Sequence, residues 1–328
     1  MMLTQDQATS LKQQLGLFDP SRPLARNEIE PNSPLAVYRQ QFAMAGIPAN
    51  SYHLGHFQLS GPLAVWGKVT CHWWRAENSR GTVCFAPGLF DHAGLFTGLF
   101  KHLVEQGFDV LCLEMPGHGL SSGEHCAIDS FATYAAIWQA FFAQYQPLLT
   151  QPLMGVGQST GCAALTEWVL NAGAATYFTR LVFLAPLVRP NHWRRVNLTI
   201  ILLGKILKKI TRASPENSHD AQFNLLLEQD VLQAKFLSAS WVLALKKWIA
   251  NFRELPTSSV PLLIIQGTGD QVVDWQFNLD ALRAHFQAAQ VRYLEGAMHH
   301  LVNETDLYRR DLFAQASQFL TLDDNSVG

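Results

Sequence analysis

The sequence predicts an α/β fold: a mostly parallel central β-sheet flanked by helices on both faces. Three observations predict it. Short apolar runs alternate with helical patterns along most of the chain, the rhythm of successive β-α units. These runs are continuously apolar rather than alternating, as suits strands buried on both faces. The 328-residue chain is 48% hydrophobic and only 15% charged, against a usual charged share of about 25%, so it has the material for a large core.

The elements follow in order. The first 50 residues are helix-like and punctuated by proline. "LTQDQATSLKQQLGLF" and "PLAVYRQQFAMAGI" predict two short helices, joined by a loop holding Pro20, Pro23, Pro31 and Pro34. Residues 1–50 are therefore set apart as an N-terminal helical extension. Residues 51–76 predict two strands, "SYHLGHFQLS" and "PLAVWGKVTCHWW", joined at Ser60-Gly61. The β-α rhythm then begins: "GTVCFAP" with a helix near 95–106, "FDVLCLEMP" with one near 129–145, "PLMGVG" with one at 159–171, and "RLVFLAP". After an interruption at 189–257 come "PLLIIQG", a helix near 275–287, "VRYLEG" and a last helix near 304–320. In such sheets ligands bind at the carboxyl ends of the strands, so chemistry is sought there.

The interruption differs in composition. Between positions 190 and 255 it carries ten Lys/Arg and five Asp/Glu, about +5 against about −7 for the rest of the chain. In "VNLTIILLGKILKKITR", Val196, Ile200, Leu203, Ile206, Leu207 and Ile210 fall on one face of a predicted helix. Lys205, Lys208, Lys209 and Arg212 fall on the other. Trp241 and Trp248, seven residues apart, read as packing residues of the same region rather than a substrate platform.

Bulk features exclude several classes. A net charge of −2 implies no general attraction to nucleic acid. Five scattered cysteines without a CxxC pair read as reduced thiols of a cytoplasmic protein. The opening stretch has no basic n-region and no apolar h-region, so no secretory signal is expected. No run of about 18 apolar residues predicts a membrane-spanning helix; "LTIILLGKIL" is broken by Lys205.

The chemistry centres on "GVGQSTG". Gly157-Gln158-Ser159-Thr160-Gly161 is G-x-S-x-G at a strand-to-helix junction, where a sharp turn lifts the serine hydroxyl above the sheet and the helix N-terminus favours negative charge. Reading Gly155 and Gly157 as a dinucleotide fingerprint fails: the third glycine would fall at Thr160, and no acid follows about 20 residues on. A serine needs a base in hydrogen-bond reach and a third group to orient it, in chain order serine, acid, histidine. Asp270 lies just beyond the strand "LLIIQG" and is the preferred acid, while Asp274 directly precedes a helix and suits a capping role. After "VRYLEG" comes Gly296-Ala297-Met298-His299, with His300 next in line.

The set "GQSTG", "GTGDQVV" and "GAMHH" resembles the α/β-hydrolase fold serine hydrolases, in particular the lysophospholipase and monoacylglycerol lipase branch. The resemblance covers about residues 80–320. It implies an α/β-hydrolase core over 51–188 and 258–328, with a helical cap, or lid, at 189–257 after the sixth strand. His299 would be the catalytic histidine and His300 a neighbour in the turn. "APGLFDHAGLF" resembles the family's loop after the third strand: Gly88 matches, Asp91-His92 match its acid-His pair, and Pro87 replaces its leading histidine. "EMPGHGLSSG" matches a second family segment, with Glu114 in place of the usual aspartate and His118 structural.

The implied mechanism is acyl transfer to Ser159, with His299 as base, Asp270 as its orienting acid, and the backbone N–H groups of Leu89 and Thr160 as the oxyanion hole. Neither cofactor nor metal is called for: HExxH is absent, and two adjacent histidines without a third ligand make a poor zinc site. The expected substrate is a lipid or lysolipid ester. The basic, apolar cap is compatible with peripheral contact with the inner membrane face. A thioester or peptide amide is the alternative substrate, although an aminopeptidase would want cap acids to hold a free amine. A non-catalytic binding module is the third reading.

Overall fold

The computed structural model describes residues 2–25, 29–195, 197–198, 209–211 and 216–321. Its centre is an eight-stranded sheet with the order β1-β2-β4-β3-β5-β6-β9-β10. The strands are β1 (Ser51–Gln58), β2 (Lys68–Arg75), β3 (Thr82–Ala86), β4 (Asp109–Leu113), β5 (Leu153–Gln158), β6 (Phe178–Leu184), β9 (Leu262–Gly267) and β10 (Ala289–Leu294). The β1/β2 and β2/β4 pairs are antiparallel, and the pairings from β4 through β10 are parallel. Every residue of β3, β4, β5 and β9 is buried. That is why these strands read as unbroken apolar runs: helices cover both faces.

The connecting helices are α3 (Thr97–Glu105), α4 (Phe131–Tyr145), α5 (Thr160–Thr166), α8 (Trp275–His285) and α9 (Asp306–Thr321), in the predicted places. A π-helical turn, Glu167–Asn171, carries α5 on to the predicted end. Two hydrophobic clusters lie on opposite sides of the sheet. In β3, Cys84 and Ala86 pack on one side, and Val83 and Phe85 on the other. All five cysteines are free and buried.

Three expectations need correction. Residues 62–66 do not extend the second strand; Gly61–Trp66 is a 3-10 turn. Pro62 cannot donate to a ladder, and Gly61 and Gly67 on either side both have positive φ. The insertion is not wholly helical. Besides α6 (Ala221–Gln229) and α7 (Ala239–Asn251), it holds a two-stranded antiparallel ribbon, β7 (Lys209–Thr211) with β8 (Phe236–Ser238). Ile210 therefore lies in a strand rather than on a helix face, consistent with the β-branched pair Ile210-Thr211. Val196, Ile200, Leu203, Lys205, Ile206, Leu207, Lys208 and Arg212 of the predicted amphipathic helix lie outside the described residues.

The third correction concerns the N-terminal extension. Its helices form, as α1 (Gln5–Gln14) with a Thr4/Gln7 capping box and α2 (Pro34–Gln41) capped by Ser33. Yet the segment is no appendage. Phe18 joins one core cluster, while Leu3, Leu11, Val37, Tyr38 and Phe42 join the other. The chain also covers the β1 edge, where Phe18 N–H donates to His56 O at 2.8 Å and Leu24 N–H to Tyr52 O at 2.7 Å.

The cap's tryptophans pack, but onto the core helix α4 rather than within the cap alone. The Trp248 ring stacks on Phe131 of α4 at 5.2 Å, and Trp241 Nε1–H donates to Tyr134 Oη at 3.1 Å. Trp241 and Trp248 both lie in the interface between cap and core, 4% and 5% exposed.

Candidate active site

β5 runs up the middle of the sheet between β3 and β6 and delivers Ser159 to the carboxyl edge. The turn into α5 is sharp. Ser159 has φ 52° and ψ −112°, a conformation that costs a non-glycine residue about 1–3 kcal/mol. The turn demands small neighbours. A side chain on Gly161 would collide with the Ala86 carbonyl, and one on Gly157 would come within 2.8 Å of Cys162 N. The strain is held by the Ser159 N–H donating to Leu184 O at 2.9 Å and by Leu187 N–H donating to Ser159 O at 3.2 Å.

Asp270 follows β9 and His299 follows β10, so both reach the same edge. Ser159 Oγ lies 3.0 Å from His299 Nε2, and His299 Nδ1 lies 2.7 Å from Asp270 Oδ2. Separations of 140 and 29 residues thus close into one chain of hydrogen bonds. All three side chains are buried, at 8%, 6% and 5% exposure. Asp270 is well held: Oδ1 accepts the N–H groups of Val272 and Val273 at 2.8 and 3.2 Å, and Oδ2 also accepts from Gln266 Nε2 at 3.1 Å. The carboxylate therefore directs Nδ1–H of the neutral imidazole at itself and leaves Nε2 to accept from the serine.

Burial works against charge on both partners, and their pairing overcomes it. Desolvation alone would lower the His299 pKa, but the charge and hydrogen bond of Asp270, with the more remote Asp91, hold it above the ordinary value. Asp270 is likewise held below its ordinary value against burial, by His299 first and by the two backbone donors after it.

Leu89 and Thr160 are the residues expected to supply the oxyanion-hole donors. Leu89 sits in the loop after β3, and Thr160 is the first residue of α5. Neither N–H donates to another group among the described residues. Gly88 has no room for a side chain: a Cβ would lie 2.6 Å from Asp91 Oδ2 and 3.4 Å from Ser159 Cβ. The loop thus runs directly against the nucleophile turn.

This loop opens on Pro87 and is braced through its neighbours. The Ala93 N–H donates to Glu114 Oε1 at 3.1 Å, and Glu114 Oε2 takes the Leu120 N–H at 2.7 Å. Burial opposes ionisation of Glu114, yet His72 beside it, then His92 and the Leu120 N–H, hold its pKa at about 2. His72 Nε2 lies 3.3 Å from Glu114 Oε1. From the cap, Gln233 Nε2 donates to Phe90 O at 3.0 Å, and Asp230 Oδ2 lies 2.7 Å from His92 Nε2.

The remaining sequence candidates take supporting positions. Asp274 caps α8 and pairs with Arg189 at 2.7 Å. His118 Nδ1 faces Pro116 O at 2.9 Å, and burial lowers its pKa to about 4, so it stays neutral within its turn. His300 is more than a turn neighbour. It is 4% exposed and lies between Phe96, stacked at 5.4 Å, and Phe223 of the cap at 4.7 Å. Its Nε2 is 3.5 Å from Asp91 Oδ1 without hydrogen-bond alignment. Glu304, which sequence reasoning missed, accepts the Met298 N–H at 2.7 Å and faces His219 Nδ1 of the cap at 2.9 Å. It thereby secures the turn that carries His299. No local pattern announces it.

The sheet order, the strained serine and its buried neighbours describe an α/β-hydrolase. The sequence model of the family described as serine aminopeptidase, S33, matches residues 77–306, well over half of the chain. The chain belongs to that family. Among relatives of this S33 chain is a monoglyceride lipase homolog of Monkeypox virus, 23% identical over 264 residues, which span 77% of this chain and 94% of the relative. Phospholipase YtpA of Bacillus subtilis (strain 168) is 24% identical over 260 residues, 75% of this chain and 97% of that one. In structure, the S33 chain resembles a soluble variant of monoglyceride lipase from Saccharomyces cerevisiae solved with a substrate analog. The TM-score is 0.72 at 17% identity, covering 84% of this chain and 96% of the other. The family match begins at residue 77, so the N-terminal extension lies before it.

Proposed function

We propose that the protein is a serine hydrolase of carboxylic esters of lipid or lysolipid type, working through Ser159, His299 and Asp270 by way of an acyl-enzyme. The carrying observation is the pair of contacts Ser159 Oγ–His299 Nε2, 3.0 Å, and His299 Nδ1–Asp270 Oδ2, 2.7 Å, at a strained strand-to-helix turn. The serine attacks the ester carbonyl as its proton passes to His299 Nε2. Asp270 stabilises the imidazolium that forms. The N–H groups of Leu89 and Thr160 receive the developing oxyanion, each donor contributing about 3 kcal/mol. His299 then protonates the leaving alcohol. A water molecule, deprotonated by the same nitrogen, releases the acid.

Relatives named as monoglyceride lipases and a phospholipase support the lipid-ester reading. The family's aminopeptidase description raises the peptide alternative. Against it, the nearby acids Asp91 and Asp230 each lie against a histidine, His300 at 3.5 Å and His92 at 2.7 Å, which takes the place a substrate amine would need. The cap also exposes Leu198, Leu225, Phe236 and Leu243, which supports transient contact with a lipid surface.

The test is a panel of p-nitrophenyl esters of rising chain length, monoacylglycerols, lysophospholipids and aminoacyl p-nitroanilides, with a fluorophosphonate probe to find the nucleophile. The expected outcome is labelling at Ser159, preference for medium or long acyl chains, and no anilide cleavage. Preference for acetyl esters would count against the lipid assignment, and anilide cleavage would favour the peptide one.

A pH dependence follows from the electrostatics. His299 must be neutral to accept the serine proton, and Asp270 holds its pKa up. The acid limb of kcat/KM will therefore titrate above the ordinary histidine value, with activity lost as pH falls through it. This apparent pKa belongs to the His299–Asp270 pair. In Asp270→Asn the limb will move to lower pH while the plateau drops. An unmoved limb would mean that another group governs it.

A further inference from the structure

The loop that carries the Leu89 donor is held from behind by a segment outside the family match. Phe42, just past α2, sets its ring edge-on to His92, with centroids 4.8 Å apart and planes at 79°. It also fills the space over Gly94, where an added Cβ would lie 2.6 Å from Phe42 Cγ. Gly94 N–H donates to His92 Nδ1 at 3.2 Å, so the neutral imidazole carries its proton on Nε2 and directs it at Asp230 of the cap, 2.7 Å away. One imidazole thus joins three parts of the chain: the extension by its ring, its own loop by Nδ1, and the cap by Nε2.

The geometry of the loop makes it dependent on such support. Phe90, next to Leu89, has φ 72°, a left-handed conformation that a bulky residue adopts only when its surroundings hold it there. Phe42 is 3% exposed, and His92, Ala93 and Phe96 are fully buried. The loop opens on Pro87, which has neither an N–H nor a polar side chain with which to brace it.

We propose that Phe42 of the N-terminal extension is a positioning residue of the hydrolase site: packed on His92 and Gly94, it holds the loop after β3 in the conformation that presents the Leu89 N–H to the oxyanion. Phe42 touches no substrate and acts through His92 and the loop. The inference rests on the ester-hydrolase reading of Ser159. An oxyanion donor acts on the transition state and little on the bound ester, so its misplacement lowers kcat and leaves KM nearly unchanged. A brace that mattered only to folding would lower thermal stability and leave both constants intact for the folded fraction.

The test compares wild type, Phe42→Ala, Phe42→Leu and Leu11→Ala in the full-length protein, using p-nitrophenyl butyrate well below every melting temperature and normalising to folded protein by circular dichroism. Leu11 is as buried as Phe42 and lies in the same extension, in α1. Expected is a fall in kcat of about 10- to 30-fold in Phe42→Ala with KM within about threefold, since losing an oxyanion donor outright costs about 10²–10³. Leu11→Ala is expected to lose melting temperature and keep kcat. A trifluoromethyl ketone, which forms the oxyanion adduct, should lose affinity in Phe42→Ala in step with kcat. If Phe42→Ala does not fold, Phe42→Leu, which preserves most of the buried volume, carries the same comparison. Unchanged kcat and inhibitor affinity in a folded Phe42 variant, or equal kcat losses in Leu11→Ala, would overturn the proposal. A wild type that hydrolyses no ester would instead overturn the ester-hydrolase reading.

Discussion

Replacing Ser159 with alanine will lower kcat for ester hydrolysis by roughly a millionfold and abolish fluorophosphonate labelling, while the protein folds as before. The magnitude follows from the way the site is built. Ser159 Oγ is the atom that His299 Nε2 addresses, and without it the base has no nucleophile to activate. Losing the nucleophile of such a unit costs about as much as losing the whole unit, roughly 10⁶ in kcat, because its members act only together. What survives is the electrostatic stabilisation from the Leu89 and Thr160 donors acting on a water-driven reaction, about 10³–10⁴ over solution. The fold tolerates the change. Alanine removes one atom, keeps the same backbone strain at φ 52°, and leaves the Ser159 N–H and C=O contacts to Leu184 and Leu187 in place. The melting temperature should therefore stay within a few degrees of wild type. Matched steady-state rates and a thermal melt check both halves. More than about 1% residual activity in a purified variant would mean that the nucleophile lies elsewhere.

The parts of this site differ in how far the sequence displays them, and the reason is range. Ser159, Asp270 and His299 each stand at the end of a strand, in a turn whose backbone needs particular small residues. Local text marks them even though they meet across 140 and 29 residues. The sheet is legible on the same grounds, since burial on both faces writes itself into contiguous apolar runs. The supports are different. Asp230 lies 138 residues from His92, Gln233 lies 143 from Phe90, and His219 lies 85 from Glu304. Nothing near any of these residues announces its partner, and each reads alone as an ordinary surface polar group. The ribbon in the cap stayed hidden for another reason. Three residues, Lys209–Thr211, are too few for a period of 2 to be told from a period of 3.6. The extension read as a separate helical piece because amphipathic helices look alike whether they cover the core of their own domain or of another. What makes it integral is Phe18 among the aromatics of α4 and Phe42 against His92, both long-range contacts.

The two adjacent histidines will separate in opposite directions when each is changed. His299→Ala will lose activity on the scale of Ser159→Ala, and some stability with it, since the buried imidazole partners both the reacting serine at 3.0 Å and the buried Asp270 carboxylate at 2.7 Å. His300→Ala will keep kcat within about tenfold and lose stability instead, by about 2 kcal/mol or more, the scale on which truncating a buried ring leaves a cavity. Phe96 and Phe223 would face each other across that cavity, and Asp91 would lose the imidazole 3.5 Å from its Oδ1. The His300 backbone bond to Asn217 O, 2.8 Å, survives substitution and keeps the cap fastened to the turn, which is why catalysis persists. Parallel kinetics and melts distinguish the roles. Loss of kcat in His300→Ala with intact stability would place the base one residue further along, and full activity in His299→Ala would remove it from the mechanism. The asymmetry originates in the backbone. Successive side chains leave the turn in different directions, so one ring reaches the strand ends where Ser159 and Asp270 wait, and the other is driven into the seam between the cap and the segment after β3 that carries Phe96.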